Sequence, residues 1–217
     1  DHRYLHSLRR RQRQMCIRDR CSALLILSVG ITDSFFQTTS ALTGTGFSTA
    51  NLAHWGDGQK GVLILLMVIG GGYGSTSSAI KLVRVLILAK AIHWMIKKSF
   101  LPDRAVVHMK LGGRIYSEHE MMEAAIYAFL YLLVMIGGAV VLMSFGHSAI
   151  DSLFESASAQ GNVGLSVGIT SPFMPLAGKI TMIIQMLVGR LEIIPVIALL
   201  SYLMVELPRN VRRASQV

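Results

Sequence analysis

Two short stretches hold residue types that could take a metal cation out of water. Thr43-Gly44-Thr45-Gly46 and Gly161-Asn162-Val163-Gly164 combine small side chains with glycine, so their backbone carbonyls can orient freely. Stripping a potassium ion of its hydration shell takes a ring of oxygens, and carbonyls on converging extended segments can supply one. A third chemical feature is Arg190, near the middle of an apolar run, where a charge costs at least ~2.5 kcal/mol on insertion scales. Glu192 lies two residues away, a spacing at which side chains do not face each other on a helix. Arg190 is therefore expected to point into a water-filled path, the plainer alternative being a pairing with some other helix.

The two glycine stretches belong to a repeat. Asp33 to Ser48, DSFFQTTSALTGTGFS, returns without a gap as Asp151 to Ser166, DSLFESASAQGNVGLS, with the aspartate, Ser34/Ser152, Phe36/Phe154, Ser40/Ser158, Ala41/Ala159, Gly46/Gly164 and Ser48/Ser166 identical. Each copy reads as an N-cap aspartate, a helix too short for the ~20 residues that a bilayer demands, and a glycine-bearing extended piece. Set between long apolar segments, that is the form of a re-entrant pore loop, whose irregular backbone is tolerable only where it lines a wet cavity. Each short helix would aim its partly negative C-terminus at the cation path.

Composition agrees. Of 217 residues, 52% are hydrophobic and 15% charged, with a mean hydropathy of +0.52, too little polar surface to coat a soluble globule. The net charge of +9 does not indicate nucleic acid, because the first twenty residues alone carry seven Arg and two Asp. That leader, 1–20, lacks a signal-peptide core. It reads as foreign, resembling translated adapter sequence, with a basic tail as the alternative. Cys16 and Cys21, with no further cysteine, form neither a disulfide framework nor a zinc site.

The order of segments follows. Residues 21–98 form one unit: a truncated first span, the pore loop 33–48, a polar stretch from Asn51 to Gly61 whose Trp55, Asp57 and Lys60 suit a solvent-facing loop, and a second span, 62–98. That span is broken by GGGYGSTSSA and resumes at Ile80. Four glycines in five positions cost a helix interior roughly 1 kcal/mol each relative to Ala. A phosphate-cradling loop is disfavoured, since no G-x4-G-K-[ST] is present. From Lys81 to Glu118 there are eight Lys or Arg against two acids, which marks the linker 99–118 as cytoplasmic. The second unit, 119–207, comprises a span at 124–146, the pore loop 151–166 and a last span at 179–207, before the basic tail 208–217. Both loops then enter from the side opposite the basic segments. The fold class expected is an all-α integral membrane protein of repeated span, pore-loop and span units, with lipid as its surroundings and no nucleic-acid partner.

Other motifs carry less. Gly164-Leu165-Ser166-Val167-Gly168 matches the G-x-S-x-G of serine hydrolases, but neither His nor Asp follows residue 166, so an intramembrane protease is a poor reading and no enzyme is expected. The seven His show no metal-site spacing, the Met residues read as packing filler, and Ser48 and Ser166 suit either an outer mouth or structural capping.

TGTGFS, GNVGLS, the broken span GGGYGSTSSAIKLVR, the linker KLGGR and GRLEI occur in one order, and together they resemble the C-terminal half of a bacterial Trk-type potassium uptake protein of the Trk/Ktr/HKT superfamily. The resemblance covers the chain from residue 21 onward. It implies four units around one pore, of which two are present, so that the chain alone should be inactive. It also implies a homodimer in the bacterial or archaeal cytoplasmic membrane and a cytosolic nucleotide-binding regulatory subunit of the TrkA type. K+ would be the transported ion, with no organic cofactor, and the glycines at 46 and 164 correspond to a potassium-selecting filter position; a sodium or mixed-cation transporter of the same fold is the nearest alternative, and a non-conducting subunit a further one. Gly70, Gly71, Gly72, Gly74, Ser75 and Thr76 correspond to an intramembrane gating loop, and Arg190 to a pore-facing basic residue that helps hold it. Tyr73 and the serines after it depart from the usual pattern there.

Overall fold

The computed structural model describes residues 30–71, 78–100, 109–111, 114–191 and 202. Within them the chain is mostly helical: α1 (Ile31–Thr43), a 3-10 turn (Leu52–His54), α2 (Asp57–Ile69), α3 (Leu82–Ser99), α4 (Glu118–Met143), α5 (Ala149–Gln160) and α6 (Leu176–Leu191). Between α3 and α4 a short antiparallel hairpin, β1 (Met109–Leu111) and β2 (Arg114–Tyr116), pairs Lys110 with Ile115. These strands depart from the all-helical expectation, in a segment that the sequence reading treats only as a basic linker. The leader 1–20, the truncated first span, Glu192 and the tail 208–217 lie outside the described residues.

Two helix starts, at Ser117 and Ser148, are set by side-chain caps. α4 begins before residue 124 because Ser117 caps it: the Ser117 hydroxyl accepts from the Glu120 N–H, and the Glu120 carboxylate accepts from the Ser117 N–H at 3.0 Å. The aspartates of the repeat are not N-caps. Gly30 and Ser148 occupy those positions, and Asp33 and Asp151 fall in the first turn, where a negative charge still meets the helix dipole favourably. The second span is broken as expected, but its helix resumes at Leu82, after Lys81 at positive φ (66°).

α4, at 26 residues, is the helix among those described that is long and apolar enough to cross a membrane. It has two faces. Tyr127, Tyr131, Met135, Ala139 and Leu142 are buried, while Met122, Ile126, Phe129, Leu133, Ile136 and Val140 form an exposed stripe at steps of three and four residues. An exposed apolar stripe of that length suits hydrocarbon, not water. α5 lies at the centre, packed by α2, α4 and α6, with Phe154 and everything from Glu155 to Gln160 buried. Arg84 of α3 stacks 3.9 Å from the centre of the Tyr127 ring, fastening the resumed span to α4.

The stretch Asn51–Gly61 is only in part the solvent-facing loop expected: Asn51, Ala53, His54 and Gly56 to Gly58, Asp57 among them, are exposed, but two of its named residues are not. Trp55 is buried in the main apolar cluster, and Lys60 is only 5% exposed because its Nζ meets the Asp151 carboxylate at 2.6 Å. The loop's composition is polar, but its anchor residues turn inward to partners distant in sequence.

Candidate functional site

Both repeat helices end in the same way. Beyond α1 the Thr45 N–H donates to the Ser40 carbonyl at 3.1 Å, and beyond α5 the Val163 N–H donates to the Ser158 carbonyl at 2.9 Å. This six-to-one closure puts the intervening residue in the left-handed region, which glycine takes at no steric cost and asparagine tolerates: Gly44 has φ 69° and Asn162 φ 50°. Neither helix carries a basic residue in its last turn, so the negative ends of both dipoles bear on the segments that follow.

Those segments then meet. Gly46 and Gly164 have φ of 79° and 99°, and a Cβ built on Gly46 would overlap the Val163 carbonyl oxygen. A Cβ on Gly164 would stand 3.8 Å from the Gly46 Cα. Close approach of the facing backbone together with positive φ requires glycine at 46, and positive φ alone calls for it at 164. Thr43 closes α1, its hydroxyl donating to the Thr39 carbonyl at 2.7 Å and meeting the Thr45 hydroxyl. Gly161 caps α5, its N–H donating to the Ala157 carbonyl at 2.9 Å. Among the described residues, the carbonyls of Gly44, Thr45, Gly46, Val163 and Gly164 accept no hydrogen bond from backbone or side chain. Unengaged carbonyls on converging backbone are of the chemical type that can replace water around a cation.

A set of polar side chains that the sequence reading passed over holds these segments in place. Ser40 donates to the Phe47 carbonyl at 2.7 Å, and its repeat partner Ser158 accepts from the Gly164 N–H at 3.1 Å. Gln37 donates to the Ser48 hydroxyl at 2.8 Å. At the matching position Glu155, buried, accepts from the Ser166 hydroxyl, from the Val167 N–H at 3.1 Å and from the Thr170 hydroxyl at 2.9 Å. Ser48 and Ser166 are thus bracing residues, and Ser166 is engaged by a carboxylate and by the Gly168 N–H. The identity of Ser40 with Ser158 was a visible signal for this frame. The role of Glu155 was not visible, since its partners lie eleven to fifteen residues away.

The second spans seat against the ends of the same helices, and they do so alike. Lys60 stands ten positions before Gly70 and Lys179 ten before Gly189, so the repeat continues beyond Ser48 and Ser166, now at an offset of 119 instead of 118, the second copy being one residue longer in the connecting loop. A Cβ on Gly70 would come within 2.8 Å of the Leu42 carbonyl oxygen, and one on Gly189 would overlap the carbonyl of Gln160, the repeat partner of Leu42. Lys60 and Lys179 each donate to a carbonyl seven residues back, on Ala53 and Pro172. In this register Arg190 matches Gly71. The second span of the first unit breaks there, with Gly71 at φ 86° donating to the Leu42 carbonyl at 3.0 Å, and the last span of the second unit continues as helix with Arg190 exposed in its last turn. Gly72, Gly74, Ser75 and Thr76 lie outside the described residues.

Known proteins resemble this chain in sequence and in fold. The family described as TrkH, cation transport protein, matches residues 26–211. An uncharacterized cation transporter of Methanocaldococcus jannaschii is 38% identical over 175 residues, covering 81% of this chain and 37% of its own length. The Trk system potassium uptake protein TrkG of Escherichia coli K12 is 35% identical over 171 residues, covering 77% and 35%. The crystal structure of the potassium transporter TrkH from Vibrio parahaemolyticus matches with a TM-score of 0.74 at 28% identity, over 86% of this chain and 42% of that one. The chain spans little more than about a third of the length of the curated relatives it matches.

Proposed function

The chain belongs to the TrkH family of cation transport proteins, whose members reside in membranes, and from that premise we propose that it contributes two pore units to a potassium uptake pathway. Residues 43–46 and 161–164 are its share of the selectivity filter. The observation that carries the reading is the meeting of two glycine-bearing segments at Gly46, Val163 and Gly164, each following a short helix whose negative end bears on it. Carbonyls of both segments replace part of the water around K+. The hydroxyl and carboxylate braces set the carbonyl positions, and so the size of ion accepted. E. coli TrkG and V. parahaemolyticus TrkH are named for potassium, which supports the choice of ion.

The spans run through the cytoplasmic membrane several times, with the basic segment 81–118 inside. Gly70 and Gly71 at the break, and Arg190 at the matching point of the other unit, form the constriction below the filter. The complete protein works as a homodimer with a cytosolic nucleotide-binding regulatory subunit, and further units close the pore. The test is cation uptake by the complete protein in cells that lack their own potassium uptake systems. Potassium-dependent growth and 86Rb uptake that survive a large excess of sodium support the reading, and equal uptake of sodium contradicts it.

A further inference from the structure

One side chain joins three elements beneath the second glycine segment. Asn162 Nδ2 donates to the Ser78 hydroxyl at 3.0 Å and to the Met186 carbonyl at 3.0 Å. Ser78 belongs to the returning arm of the broken span, where the Ile80 N–H closes on the Val68 carbonyl at 3.0 Å and the Leu82 N–H on the Gly71 carbonyl at 3.2 Å. Met186 lies one helical turn before Arg190 in α6. The backbone admits an asparagine here but does not single it out from glycine. Its left-handed conformation is met in the other repeat by Gly44, which has no side chain. What Asn162 adds is a carboxamide whose two donors reach one residue from each second span. The first repeat has no counterpart, so the tie is one-sided.

We propose that Asn162 is a positioning residue that sets the segment 161–164 against the start of α3 and against α6, so that movement of α3 reaches the filter through the Asn162–Ser78 bond. α3 leads from this bond to the basic segment at its far end, Lys97 and Lys98. The Asn162–Ser78 bond is a direct link from the start of that arm to the filter segment, beside the Arg84–Tyr127 contact that ties α3 to α4. The proposal deepens the filter reading and rests on it. It needs no contact of Asn162 with the ion.

The test uses the complete protein in detergent and in cells, with Ser78→Ala, Ser78→Thr, Asn162→Gly and the double variant Ser78→Ala/Asn162→Gly. Amide hydrogen exchange in the peptide containing 161–164 is expected to quicken about fivefold in Ser78→Ala, the factor that one hydrogen bond carries, although that substitution lies 84 residues away. Ser78→Thr keeps a hydroxyl and restores the parent rate. The double variant exchanges no faster than Asn162→Gly, because both changes remove the same bond. In uptake, the preference for potassium over sodium falls in Ser78→Ala and recovers in Ser78→Thr. Exchange that is unchanged in Ser78→Ala, effects that multiply in the double variant, or faster exchange with an unaltered cation preference would each overturn the proposal. A parent protein that shows no potassium preference while the exchange pattern holds sinks the filter reading and leaves the tie itself standing.

Discussion

Lys60 Nζ lies 2.6 Å from Asp151 Oδ1, joining the second span of the first repeat to the first turn of the short helix of the second. The lysine side chain is 6% exposed and the aspartate 30%, so the ammonium is the group with most to lose. Removing one partner of a buried pair leaves an uncompensated charge and costs about 3 kcal/mol, whereas replacing both by apolar groups costs far less. Asp151→Ala is therefore expected to lower the unfolding midpoint markedly, and Lys60→Met/Asp151→Leu to recover most of the loss. Thermal unfolding in detergent reads both.

The same pair predicts a pH dependence. The hydrogen bond from Lys60, helped by Ser148, holds the Asp151 carboxyl below the usual aspartate range against a smaller opposing effect of burial. A depressed native pKa stabilises the fold fully above the unfolded value, about 4, and the contribution disappears as the pH falls through the lower native value. The stability gap between the parent and Asp151→Asn should be widest near neutrality and close in acid. A gap that stays constant down to pH 3 would mean that the charge on Asp151 contributes nothing.

Glu155 supports the second segment through three accepted hydrogen bonds, where Gln37 supports the first through one donated bond. Glu155→Ala should cost about 2 kcal/mol, chiefly by orphaning the buried Val167 N–H, and should loosen residues 164–170, seen as faster amide exchange there. Glu155→Gln keeps the shape and part of the bonding and should fall between. Equal loss in the two variants would mean that volume, and not hydrogen bonding, holds the segment.

How far the sequence showed this follows from where each signal resides. The repeat was legible because several of its identities fall on residues with the same task twice: Ser40 and Ser158 brace the glycine segments, and Gly46 and Gly164 meet at positive φ, whereas Phe154 fills the core and its partner Phe36 is 40% exposed. Its continuation to Gly70 and Gly189 was not legible, because only the seating of both against a helix-end carbonyl equates them. Lys60 looked like a loop cation, since its carboxylate lies 91 residues onward. The caps were misplaced because any aspartate near a helix start fits the pattern, and nothing local told Asp151 from Ser148, three residues earlier. The hairpin before α4 has strands of three residues, too short for alternation to register.

Gly189 and Gly70 give a packing prediction. With a Cβ at 189 overlapping the Gln160 carbonyl, Gly189→Ala must push α6 from α5, at about 1–3 kcal/mol for overpacking and more if the backbone cannot shift. Gly137, on α4, has open space around its missing Cβ, so Gly137→Ala is the control and should be neutral or slightly stabilising. Equal behaviour of the two in thermal unfolding would contradict the seating of α6.

The central claim is that the glycines at 46 and 164 shape a potassium-selecting path. The most direct measurement is competitive uptake of 86Rb against sodium by the complete protein in potassium-uptake-deficient cells, with Gly46→Ser and Gly164→Ser beside the parent. A side chain at either position strains a residue at positive φ, and at 46 it also strikes the facing carbonyl. The account predicts that each substitution relaxes the preference for potassium over sodium by an order of magnitude or about 1.4 kcal/mol, with the protein still present in the membrane. Unchanged selectivity in both variants would contradict it.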